Sequence, residues 1–430
     1  MKRGCTLPSE VLPVGDGQKE QRLNFIYNIM DGALYAFAMS LVSTVTVLPV
    51  LVKKIGGSNV AVGLIPVIWI IGFNFPQVLI AAYTSRQDSK KRLVLKTALI
   101  QRIPWLLLAI VTATLVGKVS PHWALVLIFG GLSLAAIGGS LNLPGWFDLV
   151  AKITPVGRRG SLFAYRSILG ALLGVAGGAA VSHVLDTVVF PVNYAILFSM
   201  AFLIMMVSYI FLILLKEPLS TETPPGFKGD AYFKKLREII RQESGYRQFL
   251  IADALLVTAL MGDAFYAVNA LQKFSLSEGF TGRFIVVMMV SMIFGNLIFG
   301  KMADRSGHKR NLQIAASSTA VISVIAIVAP LVEVYYLVFA GSALTMSMLH
   351  ISRLPFIAEI CVEENRPIYI ALTNMITAPF ILMGLFGGWI ADNFGYPPVF
   401  MISGLFATAS LVWWWQKVPE PRKRKINVNN

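Results

Sequence analysis

Long apolar stretches dominate the chain and alternate with short polar segments. A helix that crosses a membrane takes about 20 mostly apolar residues, because backbone groups in lipid must bond within the helix. The apolar stretches predict twelve spans, at residues 23–52, 60–84, 93–116, 123–147, 161–185, 190–215, 249–271, 284–302, 312–332, 335–360, 368–390 and 399–415. The pattern therefore predicts an all-α polytopic membrane protein.

A single long hydrophilic stretch separates the sixth and seventh spans. It opens with prolines and a glycine at 218–226, and apolar residues then recur at helical spacing among bases at 232–240. This spacing favours an amphipathic helix on the membrane surface, with a plain solvated linker as the alternative. We expect a tail, a six-helix bundle, a linker, a second six-helix bundle and a basic tail, at 1–22, 23–215, 216–248, 249–416 and 417–430.

The composition agrees with a membrane protein. Hydrophobic residues make up 56% of the chain, charged residues 14%, and the mean hydropathy is +0.69. Ordinary soluble domains are about 45–50% apolar and about 25% charged, so the soluble class is excluded. The net charge of +15 is spread over short loops and not gathered in a base-reading patch. Nucleic-acid binding is therefore not expected.

The basic residues predict the orientation of the chain. With both termini on one side, the tails and loops of that side hold 28 of the 37 lysines and arginines. Such a bias marks the cytoplasmic side, so both termini are expected in the cytoplasm and the chain in the cell (inner) membrane. The polar first 22 residues lack the apolar core of a cleaved signal peptide.

Cysteine and histidine usage gives no sign of a metal or redox centre. Cys5 and Cys361 are the two cysteines, both predicted on the cytoplasmic side, and the four histidines have no metal-ligand spacing. We expect no disulfide, no metal site and no cofactor. No Gly-x-x-x-x-Gly-Lys-[Ser/Thr] string marks an ATP site.

A densely charged loop joins the eighth and ninth predicted spans. Residues 300–310 read Gly-Lys-Met-Ala-Asp-Arg-Ser-Gly-His-Lys-Arg. This string resembles a cytoplasmic loop signature of the major facilitator superfamily through Gly300, Asp304, Arg305, Gly307, Lys309 and Arg310. With the twelve-span layout and the long central loop, the resemblance covers residues 20–417. It implies two pseudo-symmetric six-helix bundles and secondary transport by alternating access.

The two halves of the chain repeat weakly. A shift of 219 residues places Lys90 and Lys91 on positions 309–310, so the first half keeps bases of the loop signature but not its aspartate and glycine. A second correspondence places Asp148 and Glu359 each four residues after a proline. Paired repeats are expected of transporters whose halves rock about a central site.

Charged residues at the predicted cytoplasmic helix ends form a candidate gate with Asp304 and Arg305. Glu359 and Arg366 resemble a spacing found in sugar-porter members of the superfamily, and Asp148 with Arg158 or Arg159 is the first-half counterpart. These groups are expected to pair when the cavity opens outward and to separate when it opens inward. Surface ion pairs contribute only about 0–1 kcal/mol each, so the gate can reverse readily. The alternative for Asp148 is a structural role, in which it holds neighbouring loops together and does not change partners during transport.

Asp31 is an acid inside the first predicted span. It lies eight residues into that span, about 12 Å deep at about 1.5 Å per residue. It shares one helix face with Asn24, Asn28, Tyr35 and Thr46. A polar face on a spanning helix turns toward the bundle interior or water, so Asp31 is a candidate to bind a proton, an ion or a cationic substrate group. The alternative is a structural pair with Arg102 or Arg166, at similar depth.

Asp263 is a second candidate for coupling, near the middle of the seventh predicted span. Tyr266 follows one turn later, and Asp253 lies closer to the cytoplasmic end. No cationic partner is predicted at the depth of Asp263, which argues against a simple salt bridge. A carboxyl shielded from water favours its protonated form, which suits proton pickup and release.

Small residues recur in the fifth and eleventh predicted spans. The string at 170–178 looks like an antiporter signature, but Val175 stands at the proline position and the spacing is one residue short. This departure argues against a drug/proton antiporter. Together with the glycines at 384–388, the string is expected to let helices approach closely.

These residues and the resemblance lead to one expected function. The chain is expected to be a secondary active transporter of a small solute, a symporter or antiporter driven by a proton or cation gradient. Its expected partners are the solute, the coupling ion and membrane lipid, and it is expected to be a monomer and not an enzyme. The substrate and the direction of transport stay open. A non-transporting accessory protein of the same fold is one alternative. A membrane-embedded enzyme, which would need catalytic groups clustered at one depth, is the other.

Overall fold

The computed structural model describes residues 14–85, 89–218, 243–361 and 366–421, and this part of the chain is helical with no β-strand. The helices, in chain order, are α1 (Val14–Leu41), α2 (Val47–Ile55), α3 (Asn59–Ser85), α4 (Lys90–Thr114), α5 (Pro121–Ile153), α6 (Arg159–Thr187), α7 (Val192–Leu214), α8 (Ser244–Ala259), α9 (Tyr266–Lys273), α10 (Phe280–Ser306), α11 (His308–Val328), α12 (Val332–Ile360), α13 (Arg366–Ile381), α14 (Met383–Phe394) and α15 (Tyr396–Gln416). Short 3₁₀ turns lie at Val156–Arg158 and Leu260–Ala264.

The all-α polytopic fold predicted from the sequence is confirmed. Each of the twelve predicted spans falls on one helix or on two consecutive helices. Ten stretches of the described chain are long and apolar enough to cross a membrane, and a shorter apolar helix covers Asn59–Asn74. The linker region 219–242, the loop positions 86–88 and the tails at 1–13 and 422–430 lie outside the described residues. The amphipathic helix expected in the linker therefore stays a prediction.

The first predicted span, at 23–52, consists of two helices and not of one continuous helix. α1 ends at Leu41 and α2 begins at Val47. Between them the hydroxyl of Ser43 accepts the backbone N–H groups of Val45 and Thr46, at 3.3 and 3.2 Å. Serine competes in this way with helical hydrogen bonding, and proline in the first turn of α2 needs no donor there. Thr46 consequently does not belong to the polar face of α1.

The seventh and eleventh spans are broken as well. The 3₁₀ turn Leu260–Ala264 separates α8 from α9, so Asp263 and Tyr266 lie at a break and not on one continuous helix. In the eleventh span, Pro379 precedes the junction of α13 and α14, and Leu382 donates its backbone N–H to the carbonyl of Pro379 at 3.1 Å. Pro379 removes one internal hydrogen bond of α13, and the break itself follows three residues later, at Leu382.

The helices pack into two bundles that meet along two helix pairs. α6 packs against α10, and α3 packs against α14. A side chain at Gly178 would lie 2.7 Å from the carbonyl oxygen of Gly282, and one at Gly384 would lie 3.0 Å from that of Gly63. Glycine allows these close helix approaches, so Gly178 and Gly384 serve packing between the bundles.

The ends of the helices define two faces of the molecule. α1 begins and α15 ends at one face, which we name the tail face, and the opposite face is the far face. Among the described residues, lysines and arginines are concentrated at the helix ends of the tail face.

Candidate functional site

A buried carboxylate and two guanidinium groups meet inside the first bundle. Asp31 of α1 is 4% exposed. Its Oδ1 lies 3.5 Å from Nη2 of Arg102 on α4, and its Oδ2 lies 3.5 Å from Nη1 of Arg166 on α6. Ser208 of α7 donates its hydroxyl to Oδ1 at 2.8 Å. We name these four residues the Asp31 cluster; it contains both arginines that the sequence offered as alternative partners.

Every side-chain nitrogen of Arg102 is hydrogen-bonded within the first bundle. Each of its three nitrogens donates a hydrogen bond, to the backbone carbonyls of Met205 and Ala98 and to the hydroxyl of Ser208. Its side chain is 3% exposed. The aromatic rings of Tyr35 and Tyr209 flank the guanidinium at 5.7 and 5.6 Å. This arginine is therefore fixed in place by backbone and ring contacts as well as by Asp31.

Arg166 is held less completely. Its Nη1 donates to the carbonyl and side-chain oxygens of Asn28 and toward Asp31. Its Nε and Nη2 make no hydrogen bond to any described residue, and the side chain is 15% exposed. The guanidinium lies 4.7 Å from the ring centre of Trp146 on α5. It also lies directly over Gly32, where any larger side chain would overlap it.

The other polar residues of α1 have separate partners. Asn24 exchanges two hydrogen bonds with the backbone of Lys216, each 2.9 Å long, and so ties α1 to the chain after α7. Tyr35 accepts a hydrogen bond from Nε2 of Gln101 at 2.6 Å. Asn28 is fully buried, and its Nδ2 has no hydrogen-bond partner among the described residues.

Asp263 occupies the break in the seventh span. Its Oδ2 accepts a hydrogen bond from Ser342 of α12 at 3.2 Å, and its Oδ1 has no hydrogen-bond partner in the described part of the chain. No Lys, Arg or His among the described residues lies within 4.0 Å of this carboxylate. The nearby Tyr266 is buried and stacks on Phe400, with ring centres 5.1 Å apart. The structure thus gives Asp263 a neutral, polar setting.

The second bundle holds a buried ion pair that the sequence did not reveal. Arg353 of α12 donates from Nη2 to Asp253 of α8 at 2.8 Å and from Nε at 3.0 Å. It also donates to Asn374 and Thr377 of α13. Arg353 could be recognised in the sequence only as a base inside a span. A base there needs a partner, but the sequence does not say which acid supplies it.

The charged loop at 300–310 forms the tight junction between α10 and α11 at the tail face. Gly307 alone links the two helices and has φ of 87°, a backbone conformation that favours glycine. Asp304 and Arg305 are exposed at the end of α10, while Gly300 lies within it and Arg310 lies exposed on α11. Lys309 donates to the carbonyl of Val418 at 2.7 Å, which connects the loop to the chain after α15.

The remaining gate candidates lie on different helices and have different partners. Asp148 is exposed on α5 and makes no ion pair with a described residue. Arg159 donates to the carbonyls of Ala151 and Thr154 at the end of α5, at 2.7 and 3.3 Å. Glu359 lies 3.9 Å from the ring of His308. The side chain of Arg366 lies outside the described residues, so the pair expected between Glu359 and Arg366 stays a prediction.

Polar contacts between described residues of the two bundles lie at the far face. Asp392 of α14 accepts the backbone N–H groups of Asn59 and Val60 at the start of α3, at 2.7 and 3.1 Å. Tyr396 donates to the side chain of Asn59 at 2.9 Å. Glu278 bridges Lys54 and Tyr194, and Ser277 donates to Asp186 at 2.7 Å. We name these contacts the far-face latch.

Glu217 binds the first turn of α4 near the tail face. Its carboxylate accepts the backbone N–H groups of Lys90 and Lys91 at 3.0 and 2.9 Å, the hydroxyl of Ser89 at 3.0 Å and the ammonium of Lys152 at 3.2 Å. Burial acts to raise the pKa of Glu217, but these hydrogen bonds to the charged form outweigh it and hold the pKa below its usual value.

Comparisons with known proteins agree with this architecture. Residues 254–429 match the family model of the Major Facilitator Superfamily. A gallate transporter of Pseudomonas putida is 31% identical over 167 residues, which are 38% of this chain and 36% of that protein. The chain thus matches about a third of the length of this curated relative.

Solved structures share the fold across nearly the whole chain. The nucleoside transporter NupG has a TM-score of 0.70 at 12% identity, covering 93% of this chain and 100% of that chain. A bacterial homologue of the human lysosomal transporter Spinster, inward-facing and unoccupied, has a TM-score of 0.67 at 12% identity, covering 94% and 98%. A D-xylose–proton symporter has a TM-score of 0.66 at 13% identity, covering 94% and 99%. These proteins are transporters and not enzymes. At such low sequence identity, the comparison shows that the fold is shared and no more.

Proposed function

We propose that this chain, a member of the major facilitator superfamily by its C-terminal part and its fold, is a gradient-driven transporter of a small solute that works by alternating access. The observation that carries the proposal is the Asp31 cluster, a carboxylate buried inside a membrane bundle and contacted by partners from three other helices. Ionisable groups inside a membrane are costly and mark ion and substrate pathways.

Asp31 is the proposed coupling residue. Its carboxylate can take up a proton, and each change of its charge alters its attraction to Arg102 and Arg166, at 3.5 Å each. These arginines lie on α4 and α6, and α6 packs directly against the second bundle. A change of charge on Asp31 therefore acts on a helix at the boundary that alternating access must rearrange.

The far-face latch supports the alternating-access part of the proposal. Its contacts join the bundles through side chains and helix ends, and each must break before a pathway can open at the far face. Individual contacts of this kind contribute little, which lets the closed arrangement reverse. We place the tail face in the cytoplasm, since it carries the excess of basic residues.

The relatives support a small solute and a coupling ion. The curated relative is named a gallate transporter, and one structural neighbour is named a D-xylose–proton symporter. The solute of this chain and its coupling ion are proposals at the level of class, a small solute and a proton or cation. The proposed form is a multi-pass monomer surrounded by membrane lipid.

Transport by the purified full-length protein tests the proposal. Ligands are first chosen by thermal shift from sugars, nucleosides, amino acids and organic acids, because ligands that bind the folded state stabilise it. Proteoliposomes are then given a proton or sodium gradient. We expect at least one labelled ligand to accumulate above equilibrium. Binding without accumulation under either gradient would indicate a non-transporting accessory protein and overturn the proposal.

Asp31→Asn separates coupling from folding. The amide cannot exchange a proton, so gradient-driven accumulation should be lost while exchange of labelled for unlabelled solute, which needs no net proton movement, survives. A structural acid would give a poorly folded protein, or one that is inactive in both assays. Accumulation at the wild-type level would move the coupling role to Asp263, where Asp263→Asn undergoes the same two assays.

A further inference from the structure

We propose that Arg166, Asn28 and Trp146 form the subsite for the carboxylate of a small organic anion, and that this anion binds together with a proton on Asp31. The inference rests on the proposed function and names its substrate class. The sequence suggested a cationic substrate group as one possible ligand of Asp31, whereas this inference assigns an anionic substrate to the neighbouring Arg166. Its support comes from the charge of the Asp31 cluster, the free donors of Arg166 and the unpartnered amide of Asn28.

The Asp31 cluster carries an excess positive charge. One carboxylate faces two guanidiniums, from Arg102 and Arg166, so its net charge is +1 with Asp31 ionised. The other groups around it are neutral: Ser208 and Tyr209 on α7 and Tyr35 on α1. Burying a cation without a counter-charge is unfavourable. An anion bound beside the cluster would therefore be attracted, and while Asp31 is ionised it would bring the net charge to zero.

The anion is expected at Arg166 because Arg102 has no free donor nitrogen. All three nitrogens of Arg102 are bonded to Met205, Ala98 and Ser208. In Arg166, Nε and Nη2 are free of hydrogen bonds to described residues, and its side chain is the more exposed of the two. These two nitrogens lie on one edge of the guanidinium fork, the geometry that binds a carboxylate through two parallel hydrogen bonds.

Asn28 offers a further unsatisfied donor, next to Nη1 of Arg166. A guanidinium has donors only, so the side-chain oxygen of Asn28 must face Arg166, and its Nδ2 must point elsewhere. That Nδ2 is buried and has no hydrogen-bond partner among the described residues. A buried donor without a partner is costly, and a carboxylate oxygen would satisfy it.

Trp146 provides an apolar wall beside these donors. Its ring lies 4.7 Å from the guanidinium of Arg166. Phe147 and Phe163 contact the same indole edge-on, with ring centres 5.1 and 6.1 Å away. Cationic donors next to aromatic rings suit an anion with an apolar body, so carboxylates with a ring or short chain fit better than inorganic anions.

The charge count also links the anion to a proton. Protonation of Asp31 raises the net charge of the cluster from +1 to +2 and strengthens its attraction for an anion. The same coupling works in reverse, since an anion near Arg166 makes the proton more favourable on Asp31. A monovalent anion and a proton then bind as a neutral pair. The proton comes from water and is released to water, and no covalent bond of the solute changes.

Ligand binding to the full-length protein in nanodiscs tests this inference. Benzoate, nicotinate and lactate are compared with benzamide, nicotinamide and lactamide, which match their shapes without the charge. Affinities are measured by isothermal titration and by tryptophan fluorescence, with Trp146→Phe to assign the optical signal. Arg166→Gln and Arg166→Lys are compared with Arg92→Gln, the same change at an exposed arginine on α4.

We expect at least one carboxylate to bind at least tenfold more tightly than its amide. Arg166→Gln should remove that difference and Arg166→Lys should reduce it, while Arg92→Gln leaves it unchanged. Gly32→Ala, which displaces the guanidinium without removing charge, provides a second variant if Arg166→Gln folds poorly. Equal affinities for carboxylates and amides, or an unchanged preference in both Arg166→Gln and Gly32→Ala, would overturn the inference.

The pH arm tests the shared proton. These carboxylates have pKa values of about 4. Affinities are measured from about pH 5.5 to about pH 8.5, where the ligands stay ionised. Wild-type affinity should fall as pH rises, whereas Asp31→Asn should bind the anion with no pH dependence. A pH-independent wild type would remove the proton from the proposal.

Anion binding without transport would contradict the proposed function alone, and transport of only neutral or cationic solutes would contradict this inference alone.

Discussion

Asp392 at the end of α14 caps the first turn of α3 across the boundary between the bundles, with Oδ1 2.7 Å from the backbone nitrogen of Asn59. A carboxylate at a helix N-terminus is stabilised by unpaired backbone donors and by the positive end of the helix dipole. The two residues are 333 positions apart in the chain. Their contact therefore depends wholly on closure of the far face.

Asp392→Asn should favour opening of the far face. Asn keeps an acceptor oxygen but loses the charge at the helix N-terminus, which costs about 0.3–1 kcal/mol, enough to shift a two-state equilibrium about two- to fivefold. Spin labels at Lys118 and Leu331, both exposed at the far face on opposite bundles, should show a new longer distance. Asp392→Glu keeps the charge and should show a smaller population at the longer distance. Identical distance distributions in wild type and Asp392→Asn would contradict a role for this contact in closure.

Asp304→Asn should slow transport without reducing stability. The residue is exposed at the end of α10, and substitutions at exposed positions usually change stability by less than about 0.5 kcal/mol. It matches the acid of the superfamily loop signature, which is the reason to expect a severalfold lower transport rate. The measurements are the initial rate of uptake in proteoliposomes and the thermal unfolding temperature. A normal rate at normal expression would remove Asp304 from the gate, and a lower unfolding temperature would indicate a structural role.

Glu217→Gln should destabilise the first bundle by about 1 kcal/mol, because the carboxylate holds backbone donors at the start of α4. The pKa of Glu217 is lowered in the fold. Its stabilisation is therefore present above the pKa of the unfolded chain and is lost as pH falls through the lower folded value. The difference in unfolding temperature between wild type and variant should shrink on acidification.

Glu20→Gln is the matched control for Glu217. Glu20 forms an exposed ion pair with Lys216 at 2.6 Å, and exposed pairs contribute little. The same substitution there should leave the unfolding temperature nearly unchanged. Equal losses in the two variants, or a Glu217→Gln effect that grows at low pH, would show that the cap is not the cause.

The fold could be predicted because its signals are local. Apolar length determines which segments span a membrane, and the distribution of bases orients them. The break after Leu41 was missed because the stretch stays apolar on both sides of Ser43, and hydrogen bonding by the serine hydroxyl decides where the helix stops. The break around Gly262 was missed for a similar reason, since a 3₁₀ turn leaves the apolar pattern intact.

The candidate site could be predicted only in part. Asp31 was recognisable as an acid inside a span, but depth alone could not decide between Arg102 and Arg166, and the fold brings both to it. The difference between their donors depends on backbone carbonyls of other helices, which leave no mark in a sequence. The partners of Asp392 and Arg353 likewise come from distant segments.

The pair of Asp253 and Arg353 offers a test of stability in the second bundle. Nη2 of Arg353 lies 2.8 Å from the carboxylate, and Asp253 is buried. Removal of Asp253 leaves Arg353, whose side chain is 22% exposed, without its counter-charge, so Asp253→Asn should cost about 1–3 kcal/mol. The double variant Asp253→Asn with Arg353→Gln should recover part of this loss, because neither charge then remains.

A double-mutant cycle measures that recovery. The free energy of unfolding is obtained for wild type, both single variants and the double variant in mixed micelles with increasing SDS. Residues in direct contact show interaction energies of about 0.5–3 kcal/mol, and a close buried pair should fall at the upper end of that range. Strict additivity of Asp253→Asn and Arg353→Gln would mean that other groups, such as Asn374 and Thr377, determine the stability of this part of the bundle.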